Sequence, residues 1–147
     1  MEYNEAEFLF ETEVPADELI VSRTDLNGMI TYANDAFIEI SGFAKDELIG
    51  KNHNIVRHPD MPEVAFQDLW DIIKSEQKWN GNVKNIRKDS GFYWVNATIS
   101  GVYKDGELVE YKSIRVPISN EEKLKTQKVY DAMKKKNNEL ARHIVYK

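Results

Sequence analysis

The sequence predicts an α+β domain, in which a five-stranded antiparallel sheet carries helices on one face and a further helix follows at the C-terminus. Three observations lead to this fold class. Two short β-type runs separated by a turn precede the helical segments. Three longer β-type runs, joined by turns that contain Asp and Gly, follow them. With 147 residues, of which 41% are hydrophobic, the chain can bury one core around such a sheet.

The N-terminal part of this sheet is predicted from turn and capping residues. Residues 19–23 and 29–33 are β-type runs on either side of the turn Asp25–Gly28, which indicates a hairpin. Asn34 is suited to cap the helix that follows, and Gly42 is a typical helix end.

The middle of the chain combines a short helical turn, an irregular segment and a longer helix. Residues 45–50 end in a glycine and are typical of a single helical turn, whereas residues 51–62 contain two prolines and are irregular. After Pro62, the apolar spacing predicts an amphipathic helix of about three turns. The three remaining strands are predicted at residues 82–87, 92–103 and 107–118.

A C-terminal helix is predicted from Ser119 onwards. Ser119 and Glu122 have the spacing of a capping box, and neither proline nor glycine follows Pro117. One seam of this helix, with spacings of 3, 4, 3 and 4, contains Tyr130, Met133, Asn137, Leu140 and Ile144. Two heptads do not define a coiled coil, so the seam either dimerises or packs on the sheet or on a neighbouring protein.

Acidic and basic residues are segregated along the chain. Residues 1–18 contain seven acids and no base, residues 19–118 are close to neutral, and residues 119–147 contain eight bases and four acids. We therefore expect an acidic flank (1–18), a central domain (19–118) and a C-terminal helix for signalling or dimerisation (119–147). The two charged flanks are either separately solvated or contact each other or a partner.

Composition excludes several classes of protein. A net charge of −5 and a pI near 5.3 argue against nucleic-acid binding. The absence of cysteine excludes disulfides, thiolate metal sites and photochemistry that needs a cysteinyl adduct. The apolar runs are too short to insert into a membrane, so we expect a cytoplasmic protein.

Aromatic residues are concentrated in one stretch of the chain. Six of the sixteen, including every tryptophan, lie between residues 66 and 94: Phe66, Trp70, Trp79, Phe92, Tyr93 and Trp94. They either pack an ordinary core or line a slot for a flat conjugated ligand. Such a ligand also needs a directed amide, which Asn85 would supply. Strand alternation alone does not decide whether Asn85 faces inwards.

A cluster of polar and charged residues, 57–60, precedes the predicted longer helix. Arg57 is suited to clamp a pyrophosphate, or else it forms an ion pair with Asp60 within the same loop. His53 and His58, five residues apart, define no metal geometry, although either satisfies the single-histidine requirement of a haem site. The chain has no glycine-rich phosphate loop and no catalytic constellation.

Several motifs together resemble a known family. Residues 24–34, followed by Phe37 and residues 41–43, resemble the opening of a PAS domain. Further motifs at residues 54–62, 65–70, 79–81 and 83–88 resemble the FAD-binding PAS domains of bacterial aerotaxis receptors. The redox sensor NifL carries a looser version. The resemblance covers roughly residues 20–122 and is most specific at residues 57–62.

The resemblance implies non-covalent FAD enclosed by the sheet and its helices. By family analogy, the Asn85 amide would hydrogen-bond the isoalloxazine edge and Trp70 would pack beside the ring. The other candidate cofactor residues are Arg57, His58, Asp60, Tyr93, Trp79, Asn34, Phe66 and His53. His53 occupies the position at which light-sensing LOV relatives carry their reactive cysteine, so redox state would replace light as the signal.

The expected function is a redox or energy sensor of the aerotaxis type, which relays the FAD redox state and is not an enzyme. Its expected partner is a chemotaxis-type signalling protein or a membrane-anchored receptor, and a homodimer is compatible with the helical seam. Three alternatives remain open: a cofactor-free PAS module for dimerisation, a haem-based gas sensor, and a flavoenzyme.

Overall fold

The computed structural model describes residues 10–75 and 78–136. Within them, one antiparallel sheet contains the strands β1 (Ile20–Thr24), β2 (Ile30–Ala33), β3 (Trp79–Ile86), β4 (Phe92–Lys104) and β5 (Glu107–Val116). Their spatial order is β2-β1-β5-β4-β3. The helices are α1 (Asp35–Ser41), α2 (Lys45–Leu48), a 3₁₀ turn (His53–Val56), α3 (Glu63–Lys74) and α4 (Asn120–Lys136). The predicted fold class is confirmed.

Asn34 ties the N-terminal hairpin to α1. Its side-chain oxygen accepts hydrogen bonds from the backbone N–H of Phe37 (3.1 Å) and of Val21 (3.0 Å). Its side-chain amide donates to the backbone oxygen of Leu19 at 2.8 Å. Gly42 ends the helix with φ of 77°, a left-handed conformation that glycine adopts without strain. One side chain therefore fixes both a helix start and a strand edge.

The strands β3, β4 and β5 form the predicted meander. At its second turn, Asp105 and Gly106 both have positive φ (52° and 83°), as a type I′ hairpin requires. β3 begins at Trp79, earlier than the predicted residue 82, and pairs with β4 as far as Ile99. Gly81 permits this extension, because a Cβ there would lie 2.6 Å from the Trp79 indole.

The core lies between one face of the sheet and the helical flank. Phe37, Leu48 and Val56, from α1, α2 and the 3₁₀ turn, are fully buried, as are Ile20 and Val95 of the sheet. The 3₁₀ turn occupies part of the segment predicted to be irregular; the Asn52 side chain caps it by accepting from the N–H of Asn54. This flank covers the inner face of the sheet.

Helix α4 packs on the outer face of β3. The Asn82 side chain donates to Thr126 Oγ1 at 2.9 Å, and the Tyr130 hydroxyl donates to the Asn82 carbonyl oxygen. Ser119 Oγ accepts from the N–H of Glu122 at 3.2 Å, as the predicted cap requires. Tyr130, the first residue of the predicted seam, therefore packs against the sheet. The seam positions Asn137, Leu140 and Ile144 lie outside the described residues.

Charged side chains link the N-terminal flank to α4. Lys123 Nζ lies 2.5 Å from Glu11 Oε2 and 3.0 Å from Glu13 Oε2, and the lysine side chain is 9% exposed. In this part of the chain, the acidic flank contacts the basic helix, which was one of the two alternatives left open by the sequence. Among residues 10–75 and 78–136, no helix has the length and apolar character needed to cross a membrane.

Candidate functional site

A cavity of about 310 Å³ lies between the inner face of the sheet and the segment formed by the 3₁₀ turn and α3. It falls in the size range of small-molecule sites, about 300–1,000 Å³. Six of the predicted cofactor residues line it: His53, Arg57, Phe66, Trp70, Trp79 and Asn85. The other four, Asn34, His58, Asp60 and Tyr93, do not belong to its lining.

Asn85 provides the directed amide in the cavity wall. It lies on the inner face of β3 with Val83, so the structure decides the orientation that strand alternation left open. The residue is 7% exposed, and its Nδ2 lies 3.4 Å from the Tyr93 hydroxyl, a long and therefore weak hydrogen bond. A buried amide with so little internal pairing is suited to bind the polar edge of a ligand.

Tyr93 lies behind Asn85 and supports it from the neighbouring strand. The two residues are direct cross-strand partners in β3 and β4, and Tyr93 is fully buried. Burial raises the pKa of the Tyr93 hydroxyl, which the positive charge of Arg115 partly opposes. The hydroxyl is therefore neutral and available as a hydrogen-bond partner of the amide.

Aromatic faces form the more open side of the cavity. Trp70 of α3 is 37% exposed and meets Tyr111 of β5 edge-on, with 5.9 Å between the ring centroids. The Arg57 guanidinium carbon lies 4.0 Å from the centroid of the Phe66 ring, a cation–π geometry. This wall combines flat apolar surfaces with one positive charge.

Asp60 belongs to the polar cluster of residues 57–60, but its carboxylate faces α4. Its carboxylate accepts hydrogen bonds from Lys84 Nζ (2.7 Å), Gln127 Nε2 (3.0 Å) and Lys134 Nζ. Burial alone would raise the pKa of this carboxyl, but the bonds from Lys134 and Lys84 lower it to about 2. An ion pair between Arg57 and Asp60 was one of the two alternatives for this loop. Asp60 instead forms ion pairs with Lys84 of β3 and Lys134 of α4, and Arg57 packs on Phe66.

The two histidines are both neutral but differ in position. His58 is 3% exposed outside the cavity lining, where its Nδ1 accepts from the Asp60 N–H at 3.0 Å. Burial and the charge of Lys84 lower the pKa of His58 to about 4. His53 lies in the cavity wall, where burial and the charge of Arg115 lower its pKa to about 3. Its ring stacks on Phe37 at 5.6 Å.

Sequence reasoning missed part of the cavity wall. The chief missed residues are Ser22, Gly28, Asn52, Tyr111, Ser113 and Arg115. Alternation along β5 contained a signal, because positions 111, 113 and 115 share one face of that strand. A strand face that carries a tyrosine, a serine and an arginine is not recognisable as buried from the sequence. Only the packed structure shows that this face of β5 lines the cavity.

Known proteins share this sequence pattern. The aerotaxis receptor of Escherichia coli K12 is 42% identical over 122 residues, which are 83% of this chain and 24% of the receptor. The nitrogen fixation regulatory protein of Klebsiella pneumoniae is 32% identical over 112 residues, 76% of this chain and 23% of that protein. The chain thus spans about a quarter of the length of these relatives.

The fold and the family model agree. The light-state structure of the LOV domain of the blue-light photoreceptor Aureochrome1 matches with a TM-score of 0.66 and 19% identity, covering 79% of this chain and 91% of that one. A family model described as the PAS fold matches residues 30–115. The resemblance noted in the sequence is therefore confirmed, and the chain belongs to the PAS family of domains found in sensory and signalling proteins.

Proposed function

We propose that this chain is a redox or energy sensor module that binds FAD non-covalently and relays the redox state of the ring to a signalling partner. The observation that carries the proposal is the 310 Å³ cavity, which combines aromatic faces with the buried amide of Asn85. A flat, conjugated ligand with a polar edge fits those two features together. The resemblance of the sequence motifs to the FAD-binding PAS domains of aerotaxis receptors supports the same ligand class.

The residues present fit such a cofactor. Asn85 would bind the polar edge of the ring, because its amide has a donor and an acceptor and, among the described residues, forms only the 3.4 Å bond to Tyr93. Trp70 and Phe66 would cover the ring faces, and Arg57 would hold a phosphate of the dinucleotide. When bound, FAD would supply a redox couple whose reduction turns the ring atom N5 from an acceptor into a donor.

A route from the cavity to the surface runs through β3. Asn85 faces the cavity, while the neighbouring Lys84 faces outwards and contacts Asp60 and Gln127. A change in the Asn85 hydrogen bond that is worth about 1–3 kcal/mol would bias a two-state element about 5- to 150-fold. Helix α4, which packs on Lys84 and Asn82, is the element that would receive this bias.

The partner follows from the same proposal. A module of this kind would act on a chemotaxis-type signalling protein or a membrane-anchored receptor at the cytoplasmic side, as a monomer or through a helical dimer. The cavity residues would bind and report. The Ser22 hydroxyl lies 3.0 Å from His53 Nε2, the spacing of a nucleophile and its base, but Arg115 Nη2 donates to the same oxygen at 2.7 Å and engages its lone pair. We therefore propose a reporter and not an enzyme.

The histidine contacts favour flavin over haem. His53 Nε2 lies 3.0 Å from Ser22 Oγ and 3.4 Å from Arg115 Nη1, so it is engaged within the wall. His58 uses Nδ1 as an acceptor and lies outside the lining. An axial ligand for iron would require one of these contacts to be given up.

The decisive experiment is the visible spectrum of the full chain, purified after expression with added riboflavin. We expect the two absorption bands of oxidised flavin, bleaching by dithionite, and FAD as the released cofactor. A colourless protein would favour the cofactor-free dimerisation module, and a Soret band would favour haem. Turnover of reduced pyridine nucleotide far above the rate with free flavin would identify a flavoenzyme instead.

A further inference from the structure

Arg115 is a buried cation in the wall of the cavity. It lies on β5, is 1% exposed, and forms no ion pair with any acid in residues 10–75 and 78–136. Its Nη2 donates to Ser22 Oγ at 2.7 Å, and its Nη1 lies 3.4 Å from His53 Nε2. Its buried Nε has no hydrogen-bond partner in this part of the chain.

The neighbours of Arg115 cannot neutralise its charge. His53 has a pKa of about 3 and the pKa of the Tyr93 hydroxyl is raised, so both are neutral near pH 7. Burial lowers the pKa of Arg115 itself to about 10, so its guanidinium is still charged near pH 7. The cluster of Ser22, His53 and Arg115, here called the inner arginine cluster, therefore carries one unbalanced positive charge.

The hydrogen bonds of the inner arginine cluster fix the guanidinium in place. Arginine only donates, so His53 Nε2 is an acceptor and the neutral ring keeps its proton on Nδ1. The Ser22 hydroxyl then accepts from Arg115 and donates to His53. The guanidinium carbon also lies 4.4 Å from the centroid of the Phe37 ring. Such ordering is typical of a group that is preorganised for a ligand.

All three members of the inner arginine cluster line the cavity. Burying an unpaired charge opposes folding, so the chain gains no stability by keeping it there. A ligand that brings a negative charge to this wall would satisfy both the charge and the unpaired Nε. The geometry therefore indicates an anion subsite at the inner end of the cavity.

We propose that Arg115 is the counter-charge for the anionic, reduced form of the isoalloxazine ring; this inference rests on the proposed binding of flavin. Taking up two electrons from a soluble reductant and one proton from solvent at N5 leaves the ring with one negative charge. That charge, spread over the N1 side of the ring, would be stabilised by the guanidinium. Arg115 would thus set the midpoint potential at which the sensor responds.

The test compares Arg115→Gln, which removes the charge, with Arg115→Lys, which keeps it, in the FAD-loaded full chain. Potentials are measured by spectroelectrochemical titration with dithionite. We expect Arg115→Gln to lose about 10- to 100-fold of its preference for the reduced ring. For a two-electron couple, this loss is a midpoint about 30–60 mV more negative. Arg115→Lys should retain most of the preference.

A matched control removes the same charge outside the cavity. Arg23 lies on the neighbouring strand β1, forms a surface pair with Glu110 at 3.1 Å and has a side chain that is 46% exposed. Arg23→Gln should leave the potential unchanged, since exposed charges are screened by solvent. If Arg23→Gln and Arg115→Gln shifted the midpoint potential equally, the shift would come from the net charge of the protein and not from the position of Arg115, and the inference would be overturned.

A second measurement separates this role from a structural one. Without flavin, Arg115→Gln should be at least as resistant to urea as the wild-type chain, because it removes an unbalanced buried charge. A flavin-free Arg115→Gln protein that is less stable or unfolded would show that Arg115 is structural and would overturn the inference. Unchanged potential in a yellow variant overturns this inference alone, whereas a wild-type chain that binds no flavin overturns the proposed function as well.

Discussion

Asn85 is the single residue on which flavin binding should depend most. Its amide is buried in the cavity wall, and its one side-chain hydrogen bond in the described part of the chain is the 3.4 Å bond to Tyr93. Asn85→Ala removes the donor and acceptor without filling the space, so a buried polar edge of the ring would lose its partner. We expect FAD affinity to fall about 5- to 150-fold, or about 1–3 kcal/mol. Fluorescence titration with FAD measures the change.

Asn80 offers a matched control on the same strand. It lies on the outer face of β3, where its amide donates to Asn96 Oδ1 and Thr98 Oγ1, both at 2.9 Å. Asn80→Ala therefore removes the same chemical group without touching the cavity and should bind FAD as the wild-type chain does. Equal affinities in the two variants would disprove the role of Asn85.

Two histidines with lowered pKa values, His53 and His58, should make the stability of the protein sensitive to mild acid. The pKa values of His53 (about 3) and His58 (about 4) lie below the ordinary 6.5, mainly because burial disfavours the charged ring. As the pH falls below 6.5, the two histidines become protonated in the unfolded chain but stay neutral in the folded chain. The free energy of unfolding therefore decreases. Between pH 7.5 and 5.5 we expect a loss of about 1 kcal/mol per histidine in the free energy of unfolding. Urea titration at the two pH values measures it.

Between pH 7.5 and 5.5, the change in stability comes from the histidines and not from Asp60. The lowered pKa of that carboxyl, about 2, means that its contribution to stability is lost only well below pH 5.5. A His53→Gln/His58→Gln double variant should therefore show a much smaller dependence on pH over this range. If the double variant keeps the full dependence, other groups are responsible.

Residue roles were predictable where a local pattern or a family motif marks them, and not where packing alone decides. Asn85, Trp70 and Arg57 were expected in the site, and the structure places all three in the cavity wall. The position of Asp60 was not foreseeable, because its partners Lys84 and Lys134 are distant in sequence. Tertiary contacts between distant segments leave no periodic trace in the chain.

At the scale of elements, Asp60 is the main polar anchor of α4. It accepts hydrogen bonds from Lys84, Gln127 and Lys134, and the two lysine side chains are 11% and 8% exposed. Within the described part of the chain, Asp60→Asn would leave Lys84 without a carboxylate and Lys134 with only the longer pair to Asp131 at 3.7 Å. We expect α4 to lose about 1–3 kcal/mol of docking free energy and its amides to exchange hydrogen faster by about 5- to 150-fold.

Hydrogen exchange followed by mass spectrometry over residues 120–136 measures this change. The control is Glu47→Gln, which breaks the exposed pair between Lys88 Nζ and Glu47 Oε2 at 2.6 Å. Exposed ion pairs contribute little, so exchange in α4 should stay as in the wild-type chain. Unchanged exchange in Asp60→Asn would mean that Tyr130 and Thr126 hold the helix without the carboxylate.

Elements with local signals were predicted best. The second meander turn has Asp105 and Gly106 at its positions of positive φ, whereas in the first turn Ser90 takes that conformation. Asn34 caps α1 as expected. The start of β3 was predicted three residues late because Trp79, Asn80 and Gly81 become a strand by pairing with Ile99, Thr98 and Ala97. Such pairing depends on a distant strand and not on the intrinsic preferences of an Asn-Gly sequence.

At the scale of the whole molecule, the sheet separates two regions that the proposed function must connect. Its inner face lines the cavity, and the outer face of β3 carries α4 and, through Lys123, the acidic flank. Adjacent residues of β3 alternate between these two faces. A shift at the cavity therefore needs to move only one strand to reach both charged flanks of the chain.

Flavin binding should stabilise the domain as a unit. A ligand that binds only the folded state raises the free energy of unfolding by about 2.7 kcal/mol at a free concentration of about 100 times its Kd. For a chain of 147 residues, this corresponds to a rise in Tm of about 5–10 °C. Thermal unfolding followed by circular dichroism, with and without FAD, measures the shift. At the same FAD concentration, Asn85→Ala should show a smaller rise and Asn80→Ala the full one. A wild-type chain that binds FAD without any rise in Tm would place the flavin outside the cooperative core, and hence outside the cavity described above.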